Sequence, residues 1–187
     1  MKRNKVIGVT GGSGSGKTVF CDVAREMGVY VINADDIAHD VLEGEAAAEL
    51  VAELGTNKRA ELREIVFADT DKLKLLNDIT HKYILKTIEK MIKICDNTAI
   101  AIEAILLIES GAKAMCDEVV SIIAPKSERI KRASMRDGHD VTARIEAQAT
   151  NEFYRQHSDI VIENGGTLGD LRECAENYWG SIIEGTS

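Results

Sequence analysis

The run Gly11-Gly12-Ser13-Gly14-Ser15-Gly16-Lys17-Thr18 fits the spacing G-x-x-x-x-G-K-[ST] without a mismatch. Glycines so placed let successive backbone N–H groups wrap a phosphate, and a following helix adds the positive end of its dipole. Lys17 would neutralise the transferring phosphate and the Thr18 hydroxyl could ligate magnesium, so Gly12, Ser13, Gly14, Ser15, Gly16, Lys17 and Thr18 are candidate nucleotide ligands. Asp35 and Asp36 follow a β-branched run. A carboxylate there could accept a proton from an attacking hydroxyl or help hold magnesium, and it would stand near the phosphates if that run's strand neighbours the first one. Either aspartate could equally cap a helix. Glu103 closes another apolar run, where it could act on magnesium through water or be an ordinary sheet-end carboxylate. Arg129, Arg132 and Arg136 recur at steps of three and four, which puts three guanidiniums on one helix face. Such a face could clamp phosphoryl charge under a closing lid, or stay solvated with Glu128 and Arg132 paired; Arg144 extends the segment. His81 lies at the edge of an apolar helical stripe, where a half-buried histidine and a ligand contact are both open readings.

These residues need elements to position them. Val6, Ile7 and Val9 predict a short strand before the glycines, and Lys17 to Met27 predicts a helix with Val19, Phe20, Val23 and Ala24 on one face. Val29 to Asn33 is a second strand candidate, followed by a helical stretch through Leu42. From Glu45 to Ile94 the pattern is helical, with Leu73, Leu76, Tyr83, Ile84, Ile88, Met91 and Cys95 forming a stripe. Ala99 to Ile102, Val119 to Ala124 and Ile160 to Ile162 are further strands. Lys126 to Phe153 is a second helical excursion, Pro125 marks a strand-to-helix junction, and Leu168 to Ile183 closes the chain as a helix. Alternating strands and helices predict an α/β fold with a central parallel sheet between helical layers, and ligands beyond the carboxyl ends of the strands. The two helical excursions are placed to cover a substrate.

Composition excludes several classes. With 187 residues, one compact domain is expected over 1–187. Lys and Arg number 23 against 31 Asp and Glu, a formal charge of −8, which argues against nucleic acid held by a general basic field. The apolar run Thr98 to Ile108 is broken by Glu103 and is too short to span a membrane, and the basic start Lys2 to Lys5 runs into glycines rather than a signal-peptide core. Cys21, Cys95, Cys116 and Cys174 have no metal-ligand spacing and read as reduced thiols in the cytoplasm. The N-K-x-D element of guanine-binding proteins has its nearest approach in Asn57-Lys58-Arg59-Ala60, which lacks the acid.

Taken in order, these words resemble the dephospho-coenzyme A kinases, P-loop kinases of the nucleoside-monophosphate-kinase type. The resemblance runs from about Lys5 to Trp179 through Val31-Ile32-Asn33-Ala34-Asp35, Leu62-Arg63 with Val66-Phe67, His81, Leu106-Leu107-Ile108-Glu109, Arg132 with Arg136-Asp137, Arg144-Ile145 with Gln148, and Asp159 to Asn164. It implies a three-layer P-loop kinase fold with a helical acceptor-binding insertion over roughly 43–97 and a helical lid over 126–157. The implied reaction is transfer of the ATP γ-phosphate to the ribose 3′-hydroxyl of dephospho-coenzyme A, with magnesium and without nucleic acid, membrane or an obligate protein partner. By the same resemblance Asp35 is the base; Arg63, His81, Leu107 and Glu109 belong to the acceptor site; Arg132, Arg136 and Arg144 belong to the lid, with Arg136 catalytic beside Lys17; and Asn164 lies near the adenine pocket. Thr18 and Glu103 are the metal candidates. The family pattern has prolines where this chain has Lys82 and Ile105, and a basic residue at Tyr154 that is found next door as Arg155. A kinase for another small hydroxyl acceptor and a non-catalytic nucleotide sensor are the alternative readings.

Overall fold

The computed structural model describes residues 4–67 and 69–186; Lys2 and Arg3 of the basic start lie outside them. Strands β1 (Lys5–Thr10), β2 (Tyr30–Asn33), β3 (Ala99–Glu103), β4 (Glu118–Ile123) and β5 (Ile160–Glu163) form one sheet in the order β2-β3-β1-β4-β5. The β1–β3, β1–β4 and β4–β5 pairings are parallel, and helices cover both faces. Val6 lies opposite Ile100 and Val9 opposite Glu103, so the carboxyl ends of the two central strands finish level with each other.

One compact unit comprises the chain up to Ile32 and from Cys95 onward. Its core packs α1 (Lys17–Glu26) and α9 (Leu168–Thr186) on the sheet. Phe20, Cys21, Val23 and Ala24 meet Leu171, Ala175 and Trp179 at spacings that put each set on one helix face. Trp179 is fully buried, its ring centroid 5.4 Å from that of Phe20, and its Nε1–H donates to the Phe20 carbonyl at 3.1 Å. The hydrogen bond removes the penalty of burying an indole N–H, and truncating such a residue to alanine costs about 3–5 kcal/mol.

The expected strands and helices are present, and the strand order adds what their local sequences lack. β2 does not neighbour β1, because β3 lies between them. The condition attached to Asp35 from the sequence, a β2 strand directly beside β1, is therefore not met. Burial gives the reason: every residue of β3 is buried, as a central strand requires, whereas β2 is only partly covered and Tyr30 is exposed. Between β4 and β5 lie α6 (Lys126–Asp137), α7 (Thr142–Glu146) and α8 (Asn151–His157). Pro125, with φ −53°, opens α6 as expected.

The second compact unit, Asn33–Ile94, is helical: α2 (Ala34–Glu43), α3 (Ala47–Leu54), α4 (Arg59–Phe67) and α5 (Thr70–Ile94). Asn33 is the cap of α2, its Oδ1 accepting from the N–H of Asp35 at 2.9 Å and of Asp36 at 3.3 Å. Neither aspartate is the cap, so their carboxylates are left at the positive end of the helix. Ala34, Ile37, Val41, Ala46, Leu50, Leu62, Ile79 and Ile88 are the buried apolar residues described in this unit. Of the expected stripe, Leu73 is exposed and Cys95 falls just beyond α5, while Ile79 and Ile88 carry the burial. Among the described residues, no helix is long and apolar enough to cross a membrane.

Candidate active site

The turn from β1 into α1 forms the loop. Gly16 occupies the N-cap of α1 with φ 107°, in the left-handed region that favours glycine, and no side chain caps the helix. The first N–H groups of α1 therefore face an anion site. A methyl group at Gly16 would also strike the Asn164 amide. Asn164 donates from Nδ2 to the Ser15 carbonyl at 2.8 Å, its N–H donates to the Ile123 carbonyl at 2.7 Å, and its own carbonyl accepts from Arg132 Nη1 at 3.2 Å. The residue expected near the adenine thus ties the end of β5 to the loop.

Lys17 is buried at 7% exposure and its Nζ donates to the Gly12 carbonyl at 3.3 Å. Thr18 Oγ1 donates to Glu103 Oε1 at 2.9 Å, which joins the first turn of α1 to the end of β3. Glu103 is 3% exposed; its Oε2 has no hydrogen-bond partner, and Arg25 Nη2 approaches only to 3.8 Å. The buried Ser15 hydroxyl is likewise unpartnered. Unsatisfied buried oxygens are costly in a finished core and sensible where a ligand completes the bonding. A hydroxyl beside one buried carboxylate fits magnesium, which binds through few protein oxygens together with water and substrate phosphates. Among the described residues there is no group of three or more His, Cys, Asp or Glu that could hold a metal ion. Cys21, one turn after Lys17, is fully buried; burial first and Glu103 second push its thiol well up, so it offers no nucleophile.

The arginine series divides. Arg129 is 4% exposed; its Nε donates to the Ser13 carbonyl at 3.1 Å and its Nη2 to Gln148 Oε1 at 2.7 Å. Gln148 Oε1 also accepts from the Ser13 N–H at 2.9 Å, and its Nε2 donates to Ser13 Oγ at 2.8 Å. Arg132 is half-buried, with Glu128 at 3.9 Å. Arg136 and Arg144 are exposed and share Asp137, at 2.7 and 2.6 Å, and together they hold its carboxyl well below the usual range. Three guanidiniums on one helix face therefore occupy three environments, because successive turns of α6 run outward from the buried loop into solvent.

Leu107 is fully buried and lies against Gly8 of β1, so its side chain is part of the core; Leu106, 45% exposed, is the leucine of the pair that faces solvent. Arg155 points outward to Glu163 at 2.9 Å and does not replace a cation at Tyr154, which is buried. Burial and the nearby Glu109, itself exposed, raise the Tyr154 hydroxyl to about 12. In the helical unit, Asp35 is exposed in the first turn of α2, Arg63 is exposed on α4 and His81 is half-buried on α5. That unit also carries a cleft of about 210 Å³ lined by His39, Leu42, Glu43, Asn57, Lys58 and Arg59, none of them among the expected acceptor residues. The bracing of the loop by Arg129 and Gln148 escaped sequence reasoning. They lie 116 and 135 residues from Ser13, and no local pattern records such pairings.

The comparisons with known proteins agree with this geometry. The family described as CoaE: Dephospho-CoA kinase matches residues 5–170. A curated dephospho-CoA kinase from Dehalococcoides mccartyi is 36% identical, with 92% of this chain and 94% of that protein covered. The solved structure of a dephospho-CoA kinase from Campylobacter jejuni is 30% identical with TM-score 0.75, covering 97% and 98% of the two chains. A shikimate kinase from Acinetobacter baumannii, 14% identical with TM-score 0.59 over 98% and 96% of the chains, shares the fold alone. A phosphate loop with its buried carboxylate in place, and a family match running through both compact units, place this chain in the dephospho-CoA kinase family.

Proposed function

We propose that this chain transfers the γ-phosphoryl group of ATP to the ribose 3′-hydroxyl of dephospho-coenzyme A, giving coenzyme A and ADP. The observation that carries the reading is the intact phosphate loop, with Lys17 folded over it and Thr18 bonded to buried Glu103, in a chain matched to the family over 5–170. Phosphoryl transfer passes through a loose transition state, so positioning and charge stabilisation outweigh covalent participation by the protein. N–H groups between Gly14 and Thr18 hold the phosphate chain. Lys17 leaves the Gly12 carbonyl to neutralise the transferring group. Thr18 and Glu103 would hold magnesium, which when bound supplies charge neutralisation of the β- and γ-phosphates.

Asp35 orients the attacking hydroxyl and takes its proton late, while Arg63, His81, Glu109 and the segment carrying Leu107 contribute to holding the acceptor. Arg136 and Arg144 exchange Asp137 for phosphate oxygens as the segment 126–157 closes, and Arg132 and Asn164 support the nucleotide side. Closure excludes water and makes transfer to a hydroxyl outcompete hydrolysis. The enzyme acts in the cytoplasm without nucleic acid or an obligate protein partner. The deciding measurement is ADP release from magnesium-ATP with and without dephospho-coenzyme A, with product identified by mass. Acceptor-dependent release with coenzyme A as product is expected. ATP binding without acceptor-dependent turnover would move the reading to another hydroxyl acceptor or to a non-catalytic sensor.

A further inference from the structure

Arg129 is a buried cation whose partners carry no charge. Its guanidinium is spent on the Ser13 carbonyl and on Gln148 Oε1, and among the described residues it forms no ion pair. It lies against the phosphate loop: a methyl group at Gly12 would fall on the guanidinium, and one at Gly14 would fall on the backbone carbonyl of Arg129. Glycine at both positions lets α6 approach this closely. Ser13 is gripped at three points, through its carbonyl by Arg129 and through its N–H and hydroxyl by Gln148. The Ser13 N–H is thereby committed to Gln148 and the Ser15 N–H to the Gly12 carbonyl at 3.1 Å, which leaves the phosphate cradle to the other amides of the loop.

Burying a guanidinium without a carboxylate is unfavourable, and a structural brace alone does not need the charge, since a neutral amide can donate to the same carbonyl. A polyanion bound in the loop supplies the missing negative charge at close range in a low-dielectric setting. We propose that Arg129 is a positioning residue of the phosphate loop, whose buried positive charge is left unbalanced by the protein and is balanced by the phosphates of the bound nucleotide. This rests on the proposed ATP-dependent reaction. Arg129 does not touch the reacting atoms: it sets the loop through Ser13 and adds a fixed field beneath it.

The test compares Arg129→Lys with Arg129→Gln, both able to donate to the Ser13 carbonyl, of which only lysine carries charge. Calorimetric titration with ATP should show Arg129→Gln binding about tenfold or more weakly than wild type, with Arg129→Lys recovering most of that loss. The melting temperature of unliganded Arg129→Gln should equal or exceed that of wild type, because an uncompensated charge has been removed, whereas its stabilisation by ATP should shrink. In turnover, the KM for ATP should rise more than kcat falls. Equal ATP affinity in the two variants, or an Arg129→Gln protein that melts well below wild type while binding ATP normally, would overturn the proposal. Wild-type protein that binds no ATP at all would instead overturn the kinase reading, and this inference with it. Arg129→Met, lacking both charge and donor, separates the two contributions: it should bind ATP no better than Arg129→Gln, and tighter binding would count against the field.

Discussion

The two compact units use polar groups in opposite ways. Around the phosphate loop the polar contacts are buried or partly buried and join residues far apart in sequence: Arg129 and Gln148 to Ser13, Asn164 to Ser15, Glu103 to Thr18. In the helical unit the ion pairs lie at the surface: Lys82 on Glu49, Lys86 and Lys90 on Glu45, Lys58 on Glu61. Buried hydrogen bonds in a weakly screened interior fix geometry, and breaking one leaves an orphaned group behind. Exposed ion pairs are screened by salt and contribute little each. The difference teaches where accuracy is required. A loop that must hold phosphates within tenths of an ångström is bolted from several strands and helices, while the helices of the second unit are joined by surface contacts that can yield.

The sharpest break would come from Lys17→Ala. Turnover should fall by about three orders of magnitude or more in the acceptor-dependent assay, with the melting temperature close to wild type, since the hydrogen bond from Lys17 to the Gly12 carbonyl is long, at 3.3 Å. Asp35→Asn tests the helical unit. A loss of roughly 10²–10⁴-fold in kcat with ATP affinity unchanged is expected of a residue that handles the acceptor hydroxyl, and wild-type rates would remove Asp35 from that role.

Smaller effects concern stability. Lys90 holds Glu45 below its ordinary value, Lys82 and then Tyr83 do so for Glu49, and Thr56 and then Lys58 for Glu61. A carboxylate whose folded pKa lies below its unfolded value stabilises the fold fully above the ordinary glutamate range, and that contribution is lost as pH falls through the lowered value. Amide exchange followed from pH 6 to about pH 3 should therefore show α3, α4 and α5 losing protection before β1, β3 and β4. Simultaneous loss in both units would erase the contrast. Smallest of all should be Glu49→Gln, whose effect on the melting temperature is expected within about 2 °C at low salt and to vanish at 1 M salt. A large, salt-insensitive shift would show that this exposed contact behaves like the buried ones.

Much of this was legible along the chain. The loop was complete as a word, because phosphate binding by backbone N–H groups demands glycines at close spacing and is therefore written locally. The strands of the sheet, the helical stretch from Glu45 to Ile94 and the junction at Pro125 were readable from periodicity and backbone chemistry, and the family resemblance held over both units. The arginines were visible as a series and not as individuals, since a three- and four-residue spacing reports a shared helix face but not how deep each turn of that helix lies. Likewise Leu106-Leu107 read as an apolar pair, yet only Leu107 is taken into the core against Gly8.

By itself, then, the sequence determined the chemistry that depends on neighbours along the chain: a phosphate loop opening a helix, carboxylates at the ends of apolar runs, and an α/β alternation. Tertiary structure decided what depends on neighbours across the fold. It put β3 between β2 and β1, made Asn33 rather than either aspartate the cap of α2, turned Asn164 onto the loop, and buried Arg129 beneath Gly12 while leaving Arg136 in solvent. Local spacing encodes backbone conformation and which residues share a face. Strand order, depth and long-range pairing are set by how the faces bury one another, and a residue's role in the site changes with its depth.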